Sequence, residues 1–377
     1  MSQQRVKTMP QGRLESLDIL RGFDLFMLVF FQPVFVAFAK HWADIPVVSF
    51  LLKQFSHVHW EGFTAWDLVM PLFLFMVGAA MPFSFEKHRY SPDKSAIYKK
   101  ITKRFLILFI LGIAVQGNLF SYDIKSIRIY TNTLQAIAAG YVIASILLLH
   151  LSRKGQIIAT SLLLAGYWAL LTFLGDFSPE ANFAEVVDRS VLGRVRDGVY
   201  YTEDGMWHFS DNYRYTWVLT SMVFGVTTML GVFAGQIMKH GKDKLKNSGW
   251  LLLMGTVLLL GGWLLSFQTP VIKKIWSASM TLWSGGWCFI LMGLFYYFID
   301  YKKKWQGMQW LKIYGMNSIV AYTVGMVINF RSIPNSLLWG LEKYTGVYYP
   351  AILTLTNFLI IFYILHVMYK RRIFVKI

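Results

Sequence analysis

Ten apolar segments, each long enough to cross a lipid bilayer, dominate this sequence. A membrane-spanning helix needs about 20 mostly apolar residues to cross a hydrocarbon core about 30 Å thick. The segments lie near residues 16–38, 64–86, 101–119, 133–151, 156–174, 216–238, 249–267, 276–299, 311–330 and 348–369. Because backbone polar groups in lipid must be satisfied within the protein, the pattern predicts an all-α, polytopic integral membrane bundle of about ten transmembrane helices.

The composition favours the same class of protein. Only 15% of the 377 residues are charged, whereas soluble domains carry about 25%. The net charge of +17 does not indicate nucleic-acid binding, because the basic residues are spread over separate loops. Such loops favour anionic lipid headgroups and phosphorylated ligands. The single cysteine, Cys288, excludes a disulfide within the chain.

The basic residues also predict the orientation. If the N-terminus is cytoplasmic, Lys and Arg are roughly twice as frequent in the cytoplasmic segments as in the external ones. This bias requires an even number of spans and predicts that both termini are cytoplasmic. The first apolar segment carries charges and no small-residue cleavage site follows it, so we interpret it as a retained span. We treat residues 1–377 as a single transmembrane domain whose long external segment, near 175–215, forms a functional loop or cap.

Two charged residues lie inside the first apolar segment, near its predicted cytoplasmic end. Asp18 and Arg21 are three residues apart and therefore share one face of a helix, where they can pair. Charged groups at membrane depth are costly and mark candidate functional sites. Either Arg21 meets an anionic ligand from the cytoplasm while Asp18 holds it in place, or the pair is a structural ion pair that fixes helix packing.

A histidine-rich motif leads from the external side into the second apolar segment. It contains His57, His59 and Asp67. A histidine with a carboxylate in reach suits general base chemistry, and Asp67 is the predicted orienting partner. The alternatives are a histidine at the membrane interface that is only hydrogen-bonded, or a metal site in which His41 or Asp67 adds a third ligand. Nothing else in the sequence has metal-ligand spacing, so we expect no metal.

Polar side chains elsewhere in the apolar segments complete the candidate set. Either these side chains line a cavity and bind substrate, or they join helices by hydrogen bonds. The candidate binding residues in these segments, together with Asp18 and Arg21, are Gln32, Gln135, Asn317 and Ser318, and Trp60 of the histidine-rich motif is a further one.

Taken together, these motifs resemble the heparan-α-glucosaminide N-acetyltransferase family and its bacterial relatives. The first match is Arg13-Leu14-x-Ser16-x-Asp18-x-x-Arg21-Gly22. The second is His57-x-x-Trp60-x-Gly62-x-Thr64-x-x-Asp67-Leu68-Val69-x-Pro71-x-Phe73-x-Phe75-x-x-Gly78. Shorter matches follow, including Lys273-Lys274-x-Trp276-Ser277 and Gly315-Met316-Asn317-Ser318-Ile319, so the resemblance covers nearly the whole chain.

The resemblance implies a transmembrane acetyltransferase. Such enzymes take acetyl from cytoplasmic acetyl-CoA and deliver it to an amino sugar or oligosaccharide on the far side of the membrane. The family's active-site histidine corresponds to His57, whereas His59 has no matching role. Gln32 stands where family members have Asn, and Ala136 after Gln135 replaces an Arg. The implied location is the cytoplasmic (inner) membrane of a bacterium, and a homodimer is one expected assembly.

Two other functions stay open. One is O-acylation of surface glycans by an acyltransferase-3 type of enzyme, which usually has a histidine within its first span; the first segment here has none. The other is transport of a sugar or anionic solute, because polar residues and helices broken by Gly or Pro also occur in transporters. Transporters often contain two related halves, and no internal duplication is evident in this sequence.

Overall fold

The computed structural model describes residues 14–89, 91–211, 215–304 and 306–375. Arg13, which opens the first sequence motif, lies outside the described residues. The first half of the chain is almost entirely helical. Its helices are α1 (Glu15–Phe26), α2 (Gln32–Ala39), α3 (Pro46–Gln54), α4 (Val69–Arg89), α5 (Ser95–Gln116), α6 (Thr133–His150), α7 (Arg153–Leu174) and α8 (Phe183–Leu192).

A short hairpin follows, in which strand β1 (Val199–Tyr201) pairs antiparallel with β2 (Trp207–Phe209). The remaining elements are again helices. They are α9 (Ser221–His240), α10 (Lys244–Ser266), α11 (Ala278–Phe295), α12 (Leu311–Met316), α13 (Ser318–Val327), α14 (Ser332–Leu338), α15 (Glu342–Thr345) and α16 (Tyr349–Lys370).

The predicted all-α membrane architecture is confirmed. Within the described residues, eight helical stretches are long and apolar enough to cross a membrane by length and composition. The first of them continues from α1 into α2 through a π-helical turn at Met27–Phe31, just before Pro33. Turns of this kind shift the register of a helix and occur often near functional sites.

The other two predicted spans are helical but do not meet the same criterion. Helix α5 is 22 residues long, and four basic residues between Lys99 and Arg104 occupy its first half. The ninth predicted span, near 311–330, is split at Asn317, whose φ of −121° and ψ of 42° separate α12 from α13. The expected count of about ten therefore becomes eight long apolar helices, together with α5 and the broken α12–α13 pair.

Small residues permit the closest helix contacts. A Cβ atom built on Gly78 of α4 would lie 1.8 Å from the carbonyl oxygen of Thr228 on α9. Gly22 of α1 has the same relation to α12, where a Cβ would lie 1.9 Å from the carbonyl oxygen of Leu311. Without a hydrophobic driving force between helices in lipid, such close backbone packing is a main source of association. Both contacts fix helices that carry site residues.

The long segment predicted to be external, near 175–215, is folded and anchored to the bundle. Asp188 of α8 accepts hydrogen bonds from the backbone N–H groups of Trp217 (2.7 Å) and Val218 (2.9 Å). The fully buried Arg196 pairs with Glu185 on α8. Burial raises the pKa of Asp188 to about 7, against the opposing effect of the two N–H donors. The segment thus holds the chain in place where it enters α9.

Candidate active site

A capped turn ahead of α4 fixes the carboxylate of Asp67. Asp67 Oδ2 accepts a hydrogen bond from the backbone N–H of Thr64 at 3.0 Å and lies 2.9 Å from the Thr64 hydroxyl. Thr64 precedes a single 3-10 turn, Ala65–Leu68, and forms a capping box with Asp67. Gly62, with φ of +124°, reverses the chain just before this turn in a conformation that favours glycine. The local sequence therefore holds one carboxylate oxygen and leaves the other, Oδ1, for a second partner.

That second partner is His57. Its Nδ1 lies 2.7 Å from Asp67 Oδ1, and the Asp67 side chain is only 1% exposed. An ionised carboxylate only accepts hydrogen bonds, so the neutral imidazole must carry its proton on Nδ1 and leave a lone pair on Nε2. The His57 side chain is 42% exposed and lines a cavity. This arrangement presents Nε2 as a base or nucleophile, while its catalytic role stays a prediction.

A lysine that the sequence reasoning did not select completes the cluster. Lys273 Nζ lies 3.3 Å from Asp67 Oδ1, 3.0 Å from His57 Nδ1 and 3.5 Å from His57 Nε2. Lys273 is buried, and this burial lowers its pKa to about 8, although the neighbouring Asp67 carboxylate opposes the shift. In the sequence it is only part of the Lys-Lys motif between two apolar segments. Only the tertiary structure brings it to the histidine, 216 residues away.

The cluster opens into a cavity of about 260 Å³, which we call the outer cavity. The name refers to His57, which belongs to the predicted external segment before the second span, and Leu28 is the residue of the first span that lines the cavity. Tyr215 and Trp217, at the end of the long external segment, form part of its wall. Burial raises the pKa of Tyr215 to about 12, so its phenol stays protonated at neutral pH. Polar groups of Gln116, Thr131 and Asn132 also line the cavity.

A second cavity, of about 510 Å³, lies at the predicted cytoplasmic end, and we call it the inner cavity. Both Asp18 and Arg21 line it, and Arg21 Nη1 is 3.8 Å from Asp18 Oδ1. Ser318 lines it as well. Arg104 of α5 adds a second cation that the sequence reasoning did not single out. The Arg104 guanidinium lies over the ring of Tyr141, and its buried Nε has no hydrogen-bond partner among the described residues.

The two cavities share part of their walls. Phe73 of α4, Thr133 at the start of α6 and Tyr322 of α13 line both of them. These residues come from three helices that are distant in sequence. Between Arg21 and His57, the interior of the bundle is therefore divided into two chambers that meet at one set of side chains.

Two other sequence candidates bind parts of the protein itself at the outer end. Trp60 Nε1 donates a hydrogen bond to the carbonyl oxygen of Phe177 at 2.8 Å, which ties the histidine-rich loop to the external segment. Gln32 Nε2 donates to the carbonyl oxygen of Phe55 at 3.1 Å and so joins α2 to the end of α3. Neither side chain lines the outer cavity. Their roles in substrate binding stay predictions.

Gln135 and Asn317 are likewise engaged in hydrogen bonds within the protein. Gln135 is fully buried, and its Oε1 accepts from the backbone N–H of Thr131 at 2.7 Å. Asn317 Nδ2 donates to the carbonyl oxygen of Ile373, and its Oδ1 accepts from the N–H of Val375, both at 3.0 Å. Asn317 thereby holds the C-terminal segment against the break between α12 and α13. Their roles in substrate binding also stay predictions.

The two other histidines considered as metal ligands, His59 of the motif and His41, do not join His57. His59 is exposed, and His41 packs edge-on against Tyr348 with ring centroids 5.0 Å apart. Across the described parts of the chain, no group of three His, Cys, Asp or Glu side chains is arranged to hold a metal ion.

Comparison with known proteins identifies relatives of the whole fold. A family model described as "Domain of unknown function (DUF5009)" matches residues 13–184. The human heparan-alpha-glucosaminide N-acetyltransferase (Homo sapiens) is 26% identical in an alignment 371 positions long, which covers 84% of this chain and 53% of that protein. The mouse protein of the same name (Mus musculus) is 24% identical in an alignment 419 positions long, which covers 97% of this chain and 61% of that protein.

This chain thus spans between about half and three fifths of the length of the two relatives. The similarity nevertheless extends over most of the chain. The chain is a distant relative of the heparan-alpha-glucosaminide N-acetyltransferases, which confirms the resemblance predicted from its motifs.

Proposed function

We propose that this protein is a transmembrane acetyltransferase that moves an acetyl group from cytoplasmic acetyl-CoA to an amino sugar acceptor on the external side of the membrane. The observation that carries the proposal is the meeting of the inner and outer cavities at Phe73, Thr133 and Tyr322. A donor bound at one end and an acceptor bound at the other need such a junction to exchange a small group. The distant relatives named as acetyltransferases support the same reaction class.

The inner cavity suits the anionic part of the donor. Guanidinium groups are always charged and match phosphate oxygens in a planar fork, and this cavity offers those of Arg21 and Arg104. The buried Arg104 Nε lacks a hydrogen-bond partner among the described residues, so an anion there would satisfy it. The phosphates of CoA are the proposed occupant. Its thioester arm would then extend towards the junction between mostly apolar walls.

His57 is the proposed reactive group, by one of two routes. In the first, Nε2 attacks the thioester carbonyl carbon, the C–S bond breaks, and the CoA thiolate leaves with the electron pair. The Asp67 carboxylate, 2.7 Å from Nδ1, then stabilises the positive charge of the acylated ring. In the second, Nε2 removes the proton from the acceptor amine as the amine attacks the thioester carbonyl carbon directly, and the C–S bond then breaks so that the CoA thiolate leaves with the electron pair. An acetyl group retained on His57 in the absence of acceptor would favour the first route.

The decisive experiment measures acetyl transfer by detergent-purified protein from labelled acetyl-CoA to a panel of amino sugars. We expect acceptor-dependent CoA release by the wild type and its loss in His57→Ala. His59→Ala is the matched control, because His59 is exposed and two residues away in the same loop. Unchanged turnover in His57→Ala would contradict the role of His57. No CoA release with any acceptor, in folded protein, would instead favour the transport alternative, which uptake into proteoliposomes without acetyl-CoA tests directly.

The junction between the cavities has its own test. Thr133→Trp places a bulky ring where both cavities share their wall. We expect this variant to bind CoA with the affinity of the wild type and to transfer acetyl at least tenfold more slowly. Wild-type turnover in a folded Thr133→Trp protein would argue against passage of the acetyl group through this point. The bacterial inner membrane as location and a homodimer as assembly stay predictions.

A further inference from the structure

We propose that Lys273 is a further catalytic residue, whose ammonium group donates a hydrogen bond to the carbonyl oxygen of the acyl group while that oxygen carries negative charge. This inference rests on the proposed acetyl transfer and adds to it a residue that neither sequence motif assigned to the chemistry. Its basis is the position of Lys273 beside the reactive edge of His57.

The distances bring the ammonium within reach of the reacting acyl group. Lys273 Nζ lies 3.5 Å from His57 Nε2, the ring nitrogen that the Asp67 hydrogen bond leaves free. An acyl carbon that joins or approaches Nε2 carries its oxygen one bond further out. That oxygen therefore falls within hydrogen-bond reach of an amine at this distance. Lys273 also lines the outer cavity together with His57, so both residues border the space proposed for the acceptor.

The hydrogen-bonding capacity of Lys273 is compatible with this role. An ammonium group has three N–H donors and no acceptor. Among the described residues, Asp67 Oδ1 is the carboxylate oxygen within ion-pair distance, at 3.3 Å. His57 Nδ1, though only 3.0 Å away, already donates its own proton to Asp67 and accepts nothing. One donor is thus used to hold the group in place, and donors remain for a substrate oxygen.

The environment strengthens such a hydrogen bond. Lys273 is only 8% exposed, and charges removed from water interact more strongly than solvated ones. Preorganised donors of this type act on the charge that develops in the transition state. As Nε2 or the acceptor amine adds to the carbonyl carbon, the oxygen gains the electron pair of the C=O π bond. The pair returns when the C–S bond breaks and the thiolate leaves, and no proton has to leave Lys273.

A structural alternative must be separated from this role. Lys273 also neutralises the buried Asp67 carboxylate and so contributes to the fold of the loop. A lysine that acts only in this way would affect the melting temperature and KM. Whether an arginine or a shorter amine could replace it would then depend only on how well the new side chain packs. If Lys273 stabilises an oxyanion, kcat instead depends on whether a positively charged donor is present at this position.

The test compares Lys273→Met with Lys274→Met, which removes the same charge one residue further along. Lys274 Nζ instead lies 5.7 Å from the ring centroid of Tyr215. We expect Lys273→Met to lower kcat about 10²–10³-fold with KM for acetyl-CoA within about threefold of the wild type. Lys274→Met should stay within about threefold in both constants. A kcat of Lys273→Met within threefold of the wild type would overturn the proposal, whereas a wild type without any transfer would refute the acetyltransferase function itself.

Chemical rescue tests the position of the amine without relying on Met. In Lys273→Cys, alkylation with 2-bromoethylamine restores an amine of nearly lysine length. The only native cysteine, Cys288, is fully buried and should not react, which treatment of the wild type checks. We expect alkylation to raise kcat at least tenfold above that of the unmodified Lys273→Cys protein. If the alkylated protein, shown by mass spectrometry to carry the amine, stays as slow as Lys273→Cys, the proposal is wrong.

The pH dependence separates an acid role from a base role. Because burial lowers the pKa of Lys273 to about 8, its positively charged form, the stronger donor, is lost above that pH. The ratio of wild-type to Lys273→Arg activity cancels the titration of the acceptor amine, since Arg stays charged. We expect this ratio to fall as pH rises from 7 to 9. A ratio that rises with pH would assign Lys273 as a base. Recovery of Lys273→Met activity at pH 9 would mean that Lys273 only controls the protonation of His57. Either result overturns the proposal.

Discussion

Replacement of Asp67 by Asn is the sharpest test of how the loop geometry serves the chemistry. The change keeps the shape of the side chain and removes its charge. Asp67 Oδ2 faces the backbone N–H of Thr64 at 3.0 Å, and Oδ1 faces His57 Nδ1 at 2.7 Å and Lys273 Nζ at 3.3 Å. Both positions therefore require an acceptor, whereas an Asn side chain has one acceptor oxygen and one NH₂ donor.

In either orientation of the introduced amide, its oxygen can face only one of these two sides. Its NH₂ group then faces the hydrogen-bond donors on the other side. The Thr64 N–H is fixed by the capping turn, so we expect the amide oxygen to take that side. The NH₂ group then points at His57 and favours the tautomer with the proton on Nε2, which abolishes the reactive lone pair. An Asp-to-Asn change of this kind in the catalytic triad of serine proteases lowers kcat about 10⁴-fold.

We therefore expect Asp67→Asn to lower kcat about 10³–10⁴-fold, or about 4–5.5 kcal/mol of transition-state stabilisation. The assay is CoA release with labelled acetyl-CoA and an amino sugar acceptor, alongside the melting temperature in detergent. Asp204→Asn is the control, because that carboxylate is exposed in the external hairpin. If a folded Asp67→Asn protein keeps more than a tenth of wild-type kcat, the tautomer argument and the orienting role of Asp67 are both wrong.

Three further predictions concern the donor site, the packing and the pH response. Arg104→Gln should raise KM for acetyl-CoA about 10-fold or more, since a hydrogen bond to a charged group contributes about 1.5–3 kcal/mol. Lys242→Gln, at an exposed position between α9 and α10, should leave KM unchanged. An unchanged KM in Arg104→Gln would remove Arg104 from the donor site. Gly78→Ala should lower the melting temperature sharply, because its Cβ would lie 1.8 Å from a backbone carbonyl oxygen. Gly249→Ala should be nearly neutral, because a Cβ there has nothing within 4 Å. Equal melting temperatures of the two variants would contradict this packing. The pKa of Asp188 is raised to about 7 in the folded state, so this group favours the fold at low pH. The melting temperature of the wild type relative to that of Asp188→Asn should therefore fall as pH rises from 5 to 8. A constant difference between the two melting temperatures would refute the assigned pKa.

The membrane architecture follows from the sequence because it rests on a local property. Whether about 20 consecutive residues are apolar enough to leave water is decided within each segment, and so is the backbone hydrogen bonding of a helix. The same locality made the Asp18–Arg21 pair predictable, since residues three apart share a helical face. It also made Asp67 a reasonable partner for His57, because only ten residues separate them.

Residues that meet across the bundle were beyond such reasoning. Lys273 is 216 residues from His57, and nothing in its own surroundings in the sequence distinguishes it from Lys274. Arg104 belongs to a row of four basic residues, of which the sequence marked none as facing a cavity. Polar residues inside spans were predicted either to bind substrate or to join helices, and the hydrogen bonds of Gln32 and Gln135 follow the second pattern.

The sequence by itself therefore determined that this chain is a polytopic helical membrane protein related to the heparan-alpha-glucosaminide N-acetyltransferases. It also predicted a histidine and a carboxylate near one end of the bundle and an arginine near the other. The tertiary structure alone decided which helices pack closely enough to leave two cavities, and that these meet at Phe73, Thr133 and Tyr322. The physical reason is that insertion depends on each segment separately, whereas cavities and charge clusters depend on how side chains from distant segments fill the space between helices.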